Sequence, residues 1–197
     1  MKSLLLLIAL LPMSLSALET PRHVVHVILI GGQSNAVGQE SAKDLPALYR
    51  EPQENIPFYY QVEPQKGKAP AEPVYTTLRP GASKVEGGMG PEVSFGMKLE
   101  EAVKKSGSKD RVAVIKYAVG GTNLYAQWKA GGDSSMKGDG PVYRSFQKVV
   151  GQGLEALKAD PKLEGYEIRT DAMLWVQGEA DLGHDHAADY AANLTAF

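Results

Sequence analysis

The chain has no cysteine in its 197 residues. That absence excludes disulfides, thiol nucleophiles and thiolate metal sites, so stability must come from the core and any nucleophile must be of another kind. Excess charge of either sign is lacking too: Lys and Arg number 21 against 23 for Asp and Glu. Capture of nucleic acid or of an acidic membrane needs a strong electrostatic footprint, and a neutral substrate suits this balance better. Nor is there a long apolar run. The stretch from Leu4 to Leu11 falls well short of the ~20 residues that span a bilayer. It follows the basic start Met1-Lys2-Ser3 and precedes the small residues Ser14, Ser16 and Ala17, the pattern of a signal peptide. Residues 1–17 are therefore expected to direct secretion or delivery to a periplasm, with no membrane attachment after cleavage; an uncleaved anchor is the alternative. Residues 18–197 suffice for one domain.

What is present is an alternation. Three apolar runs rich in β-branched residues, Val24 to Ile30, Val112 to Val119 and Ala172 to Val176, are separated by segments of helical period, which predicts a parallel sheet with crossover helices. Each run is nearly continuous in apolar residues, as befits strands covered on both faces. Each ends in a polar turn containing glycine: Gly31-Gly32-Gln33-Ser34, Gly120-Gly121-Thr122-Asn123 and Gln177-Gly178-Glu179. Ligands in open α/β sheets bind beyond the carboxyl ends of the strands, so the three turns are expected to converge.

Helices are predicted from Glu92 to Lys105, with an apolar stripe of Phe95, Leu99, Ala102 and Val103, and from about Val142 to Ala159, ended by Pro161. A last helical pattern, Ala187, Tyr190, Ala191 and Leu194, is still running at Phe197, which suggests that the domain is incomplete at this end. Between Glu40 and Glu86 seven prolines make a long regular element unexpected. A connection of that length is often a binding loop, and Tyr49, Phe58, Tyr59, Tyr60 and Tyr75 could line a sugar-binding rim or simply pack the loop down.

Ser34 is the chemically suggestive residue. A serine after a buried strand and before a helix lies near free backbone N–H groups, which favour negative charge developing on a bound oxygen. The same position suits a plain N-cap serine, worth about 1 kcal/mol. The turn is not the nucleophile elbow of α/β-hydrolases, because Ala36 stands where the second glycine belongs. It is not a P-loop either, since no Gly-Lys-Ser/Thr follows.

Taken together, Gly32-Gln33-Ser34-Asn35, Gly120-Gly121-Thr122 and Trp175-Val176-Gln177-Gly178-Glu179-Ala180-Asp181 resemble the sialate O-acetylesterase and carbohydrate esterase family six branch of the SGNH hydrolases; Met89-Gly90-Pro91-Glu92 also looks like that branch. The resemblance implies a three-layer α/β/α flavodoxin-like fold and a serine esterase that removes acetyl groups from carbohydrate without a cofactor or metal. Carried over, Ser34 matches the nucleophile and supplies one oxyanion N–H, Gly121 supplies another, Gln177 matches the amide donor, and Glu179 supports the catalytic histidine. For Glu179, capping the next helix or pairing with a base is the alternative. Gln33, Asn35, Asn123 and Glu92 are secondary or substrate-contact candidates. Asn123 spells the glycine-any-asparagine pattern of other SGNH enzymes but lies on the second strand end, so Gln177 ranks above it, and Asn123 also reads as a turn residue. Val176 stands where the family usually has histidine.

A serine hydroxyl needs a base, and the family's aspartate-any-any-histidine word near the C-terminus is not found. The literal match, Asp181 to His184, lies directly behind the third turn, in the wrong place. His184, Asp185 and His186 read as a solvated loop or a weak metal signal; His23 and His26 read as packing or surface residues. An inactive or carbohydrate-binding relative lacking the histidine is thus the rival to the esterase, and a peptidase or lipase is a third reading.

Overall fold

The structure, a computed structural model, describes residues 23–132, 137–182 and 186–197. The expected signal peptide, His184 and Asp185 lie outside the described residues. Among the described residues no helix is long and apolar enough to cross a membrane.

The first apolar run forms β1 (Val24–Gly32), which leads into a single helical turn, α1 (Ser34–Val37). Then come the short β2 (Glu40–Ser41), α2 (Ala47–Arg50), β3 (Gln53–Tyr60), β4 (Val74–Leu78) and the short β5 (Gly88–Met89). The remaining elements are α3 (Glu92–Lys105), β6 (Arg111–Lys116), α4 (Pro141–Ala159), β7 (Glu167–Val176), α5 (Glu179–Leu182) and α6 (Tyr190–Ala196). One five-stranded sheet runs β4-β3-β6-β1-β7, while β2 and β5 pair apart from it. β1 lies parallel to both β6 and β7, and β3 is parallel to β6. β4 is an antiparallel edge strand.

Alternation along the strands sorts the two faces. Val25 and Val27 of β1 and Ala113 and Ile115 of β6 pack with Phe146, Val149 and Leu157 of α4. On the other face Ile30, Val112 and Val114 pack with Phe58, Leu78 and the Met97, Leu99 and Val103 side of α3. The result is a helix layer on each side of the sheet, the α/β/α architecture the sequence predicts. Both long helices fall within a residue of their predicted limits. The face of α3 differs from its prediction: Phe95 is exposed, and the sheet side holds Val93 and Gly96. A Cβ at Gly96 would meet Leu78 Cδ2 at 2.6 Å, so glycine lets the helix approach the sheet.

The proline-rich stretch differs more. It contains β3, which lies next to β6, and β4. Pro57 is tolerated because the β3–β4 register shifts between Gln53 and Pro57, and the β3–β6 ladder is recorded only from Phe58 to Tyr60. Phe58 and Tyr59 are buried, Tyr60 stacks on Phe58 at 4.9 Å, and the Tyr75 hydroxyl donates to Asp160 at 2.6 Å. Phe58, Tyr59 and Tyr75 thus contact the domain itself, whereas Tyr60 is half-buried at the carboxyl end of β3.

Candidate active site

β1 has β6 on one side and β7 on the other, so its carboxyl end is where the strand order switches direction, the usual crevice of such sheets. The ladders continue into the turns. Tyr117 and Val119 donate N–H bonds to Ile30 O and Gly32 O, both at 3.0 Å, and Gln33 N donates to Val176 O at 2.9 Å. Gly32 has φ +136, and a Cβ there would lie 2.0 Å from Val176 O. Only glycine allows β1 to turn this close to β7.

The N-cap of α1 is Gln33, so Ser34 occupies the first helical position and is not the cap. With one turn of helix, little macrodipole is available, and the relevant charge is that of the free N–H groups themselves. Ser34 is half-buried and lines a groove of about 380 Å³ together with Asn35, Gln39, Met89, Gly90 and Ser94. Among the described residues, no protein acceptor takes the backbone N–H of Ser34 or of Gly121, and no side chain bonds the Ser34 hydroxyl.

The residues flanking Ser34 tie it to the β7 turn. Gln33 is buried, and its Oε1 accepts from Ala180 N at 3.2 Å and from Gln177 Nε2 at 3.3 Å. On the other side Asn35 Nδ2 donates to Glu179 Oε1 at 2.7 Å. The β6 turn is held as well, since Gln177 Nε2 donates to Thr122 O at 3.0 Å and to Asp181 Oδ2 at 2.5 Å. Asp181 is 1% exposed, and its carboxylate accepts from Leu124 N and Tyr125 N. Three turns from distant parts of the sequence thus form one hydrogen-bonded cluster around Ser34.

A family model described as "Carbohydrate esterase, sialic acid-specific acetylesterase" matches residues 24–197. The chain belongs to that family. No match is found among curated proteins. Among solved structures, a protein from Arabidopsis thaliana is similar at 20% identity and TM-score 0.55, covering 87% of this chain and 66% of its own. NanS is similar at 16% identity and TM-score 0.55, covering 88% of this chain and 60% of its own. At these identities the likeness is one of fold. The chain spans less than two thirds of the length of both.

Within this acetylesterase-family chain, three candidate residues are engaged by the protein itself, Asn123 in the turn role that its sequence position also allows. Gln177 has its two amide hydrogens among three protein acceptors, while its Oε1 is buried with no partner among the described residues. To donate to a bound oxygen it would have to release one of them, which makes it a tie between turns in this state. Glu92 is fully buried, with Oε2 2.7 Å from Lys116 Nζ and Oε1 accepting from Gly90 N at 3.0 Å. It does not face the groove. Asn123 caps its own turn, accepting from Ala126 N at 2.9 Å and Gln127 N at 3.3 Å.

Lys116 escaped the sequence reading. Its ammonium also donates to Val37 O at 2.9 Å, closing the C-terminal end of the turn that bears Ser34. Burial pulls its pKa down, opposed by the Glu92 carboxylate. The signal was a lysine inside an otherwise apolar strand, Val112 to Val119.

The described histidines lie apart from Ser34 or have another partner. His23 and His26 are at the opposite end of β1, with His26 roughly 20 Å or more from the serine at about 3.3 Å per residue. His186 stacks flat on Tyr125, centroids 3.7 Å apart. Among the described residues no group of three or more His, Asp or Glu could hold a metal ion.

Proposed function

We propose that this chain carries the nucleophile and oxyanion site of an exported serine esterase that removes O-acetyl groups from carbohydrate. The carrying observation is Ser34, held between two residues that are themselves tied to the β7 turn, with N–H groups at Ser34 and Gly121 that meet no acceptor among the described residues. Family membership supports the substrate class.

Ser34 Oγ attacks the acetyl carbonyl and gives its proton to a general base, for which Glu179 is the orienting carboxylate. Asn35 fixes that carboxylate at 2.7 Å. Charge develops on the carbonyl oxygen, where the N–H groups of Ser34 and Gly121 receive it; one such donor is typically worth about 2.7–4 kcal/mol. Collapse expels the sugar hydroxyl, which takes up the proton, and leaves an acetyl-serine. Water, deprotonated by the same base, then releases acetate and restores Ser34. The apolar segment at residues 4–11 supports export.

A second reading, a carbohydrate-binding relative without chemistry, draws on the position of the described histidines. Hydrolysis of short aryl acetates against long-chain esters, with Ser34→Ala as control, separates these. The esterase predicts turnover of acetates, little of long chains, and loss of turnover in the variant. Activity that survives the substitution overturns the nucleophile assignment, and binding of acetylated sugar without turnover supports the second reading.

A further inference from the structure

The turn at the end of β6 is gripped at both ends by carboxylates from far along the chain. At its far end Asp181 takes the N–H groups of Leu124 and Tyr125, at 2.9 and 3.1 Å. At its near end Glu63, from the connection between β3 and β4, accepts the N–H of Gly120. The other Glu63 oxygen lies 2.7 Å from Lys84 Nζ, and the Glu63 side chain is only 5% exposed. Between these anchors Gly121 has φ +68, is exposed, and has nothing within 4 Å of where a Cβ would be. Packing does not hold that residue. A free glycine moves readily among conformations, so the direction of its N–H must be set by its neighbours. On one side Thr122 is fixed, with Oγ1 donating to Val119 O at 2.6 Å and accepting from Trp128 Nε1 at 2.8 Å. On the other side the fixing group is Glu63.

We infer that Glu63 is a positioning residue, whose carboxylate holds the Val119–Gly120 peptide, the base from which the following Gly121 N–H is carried, so that this N–H stays aimed at the oxygen on which charge develops. The inference rests on the reading of Gly121 as an oxyanion donor. A charged acceptor makes a stronger hydrogen bond than a neutral one. A bare carboxylate beside a developing oxyanion would oppose the reaction, because like charges repel strongly where water is scarce. Lys84 answers that problem. The pair carries no net charge, so it orients the turn without placing a negative field on it.

Glycine-labelled protein tests this directly by NMR. In Glu63→Ala, amide exchange at Gly120 is expected to speed up at least about tenfold, and the Gly121 order parameter to fall from about 0.85 towards 0.6 or below. Glu63→Gln retains an acceptor and should restore most of both. It also carries the test if the alanine variant does not fold, through an upfield shift of the Gly120 amide proton as the charged acceptor becomes neutral. On an aryl acetate, kcat should drop about tenfold in Glu63→Ala with KM within twofold, and Glu63→Gln should recover most of it. A merely structural role would lower stability without that split or that rescue. Unchanged Gly120 and Gly121 signals in folded Glu63→Ala and Glu63→Gln overturn the inference whatever Ser34 does. Activity that survives Ser34→Ala overturns the esterase reading and leaves the NMR result standing.

Discussion

The two ends of β1 are both crowded with polar side chains, and they differ in what is left over. At the amino end His26 lies between Asp171, on its Nδ1, and Asp110, 3.5 Å from its Nε2, while Arg169 pairs with Asp171 at 2.6 Å. Opposite charges meet there, and the cationic and anionic side chains pair with one another. At the carboxyl end the amides of Gln33, Asn35 and Gln177 bind one another's turns, yet the hydroxyl of Ser34 and the N–H groups of Ser34 and Gly121 have no protein partner among the described residues. Polar groups that satisfy one another hold a structure; polar groups held in place but unsatisfied are available to a ligand. Histidine is the commonest general base, yet two of the chain's four stand at the amino end, beside the Asp110 and Asp171 carboxylates.

The sharpest break of this contrast is a pair of substitutions. Ser34→Ala should lower kcat for an aryl acetate by at least about 10³-fold with an unchanged melting temperature. His26→Asn, at the other end, should lower the melting temperature and leave kcat alone. A loss of kcat in folded His26→Asn would mean that the two ends are not functionally separate.

Next in size is the buried pair behind the serine. Removing one partner of a buried ion pair typically costs about 3–5 kcal/mol, since the other is left charged and unpaired. Lys116→Met should therefore lower the melting temperature by roughly 10 °C or more, at about 2–4 °C per kcal/mol for a domain of this size. Adding Glu92→Gln should recover part of it. Breaking the exposed Lys98–Glu101 pair on α3, with side chains 67% and 45% exposed, should leave the melting temperature nearly unchanged. Equal losses at the two sites would show that burial is not what gives the inner pair its weight.

Local signals read best from the sequence, and pairings between distant residues read worst. The strand runs at 24–30 and 112–119 and both long helices are legible because their periodicity is local. β3 was hidden because Pro57 forbids a continuous ladder, and only the register shift beside it shows how the strand accommodates the ring. β7 begins at Glu167, five residues before the apolar run, since its first half is polar and solvated. The three glycine turns could be named as a converging set, but which amide donates to which carbonyl could not. Gln177 reads as a donor to substrate by its place in the motif. Its bonds to Thr122 and Asp181 follow from the curvature of two turns that no spacing encodes. Glu63 carries no sequence signal at all, because its partner is a backbone N–H 57 residues away.

A smaller effect is expected at Gly121. Its left-handed conformation disfavours an L side chain by about 1–2 kcal/mol, and since nothing lies near the Cβ position, Gly121→Ala should fold. The strain is relieved by rotating the adjacent peptide, and the N–H turns with it. We expect kcat to fall about tenfold while the melting temperature drops by only a few degrees. Gly32→Ala, whose Cβ would meet backbone at 2.0 Å, should instead fail to fold. Equal behaviour of the two variants would erase the distinction between a glycine needed for packing and one needed for aim.

The smallest effect tests the amino end alone. A bond from the Ser108 hydroxyl and the N–H of Val24 hold the Asp110 carboxyl at a pKa of about 2, against about 3.9 for an unperturbed aspartate. A depressed folded-state pKa means that the unfolded chain binds the proton more readily, so this contribution is complete above about pH 4 and is lost as the pH falls through about 2. Asp171 is depressed as well, chiefly by Arg169, and titrates in the same direction. Melting temperatures measured from pH 5 down to pH 2 should decline, and Asp110→Asn should flatten that decline. The asparagine oxygen can still accept from Val24, so the variant should lose little at pH 7. A decline of the same slope in Asp110→Asn would move the acid sensitivity away from this end of the sheet.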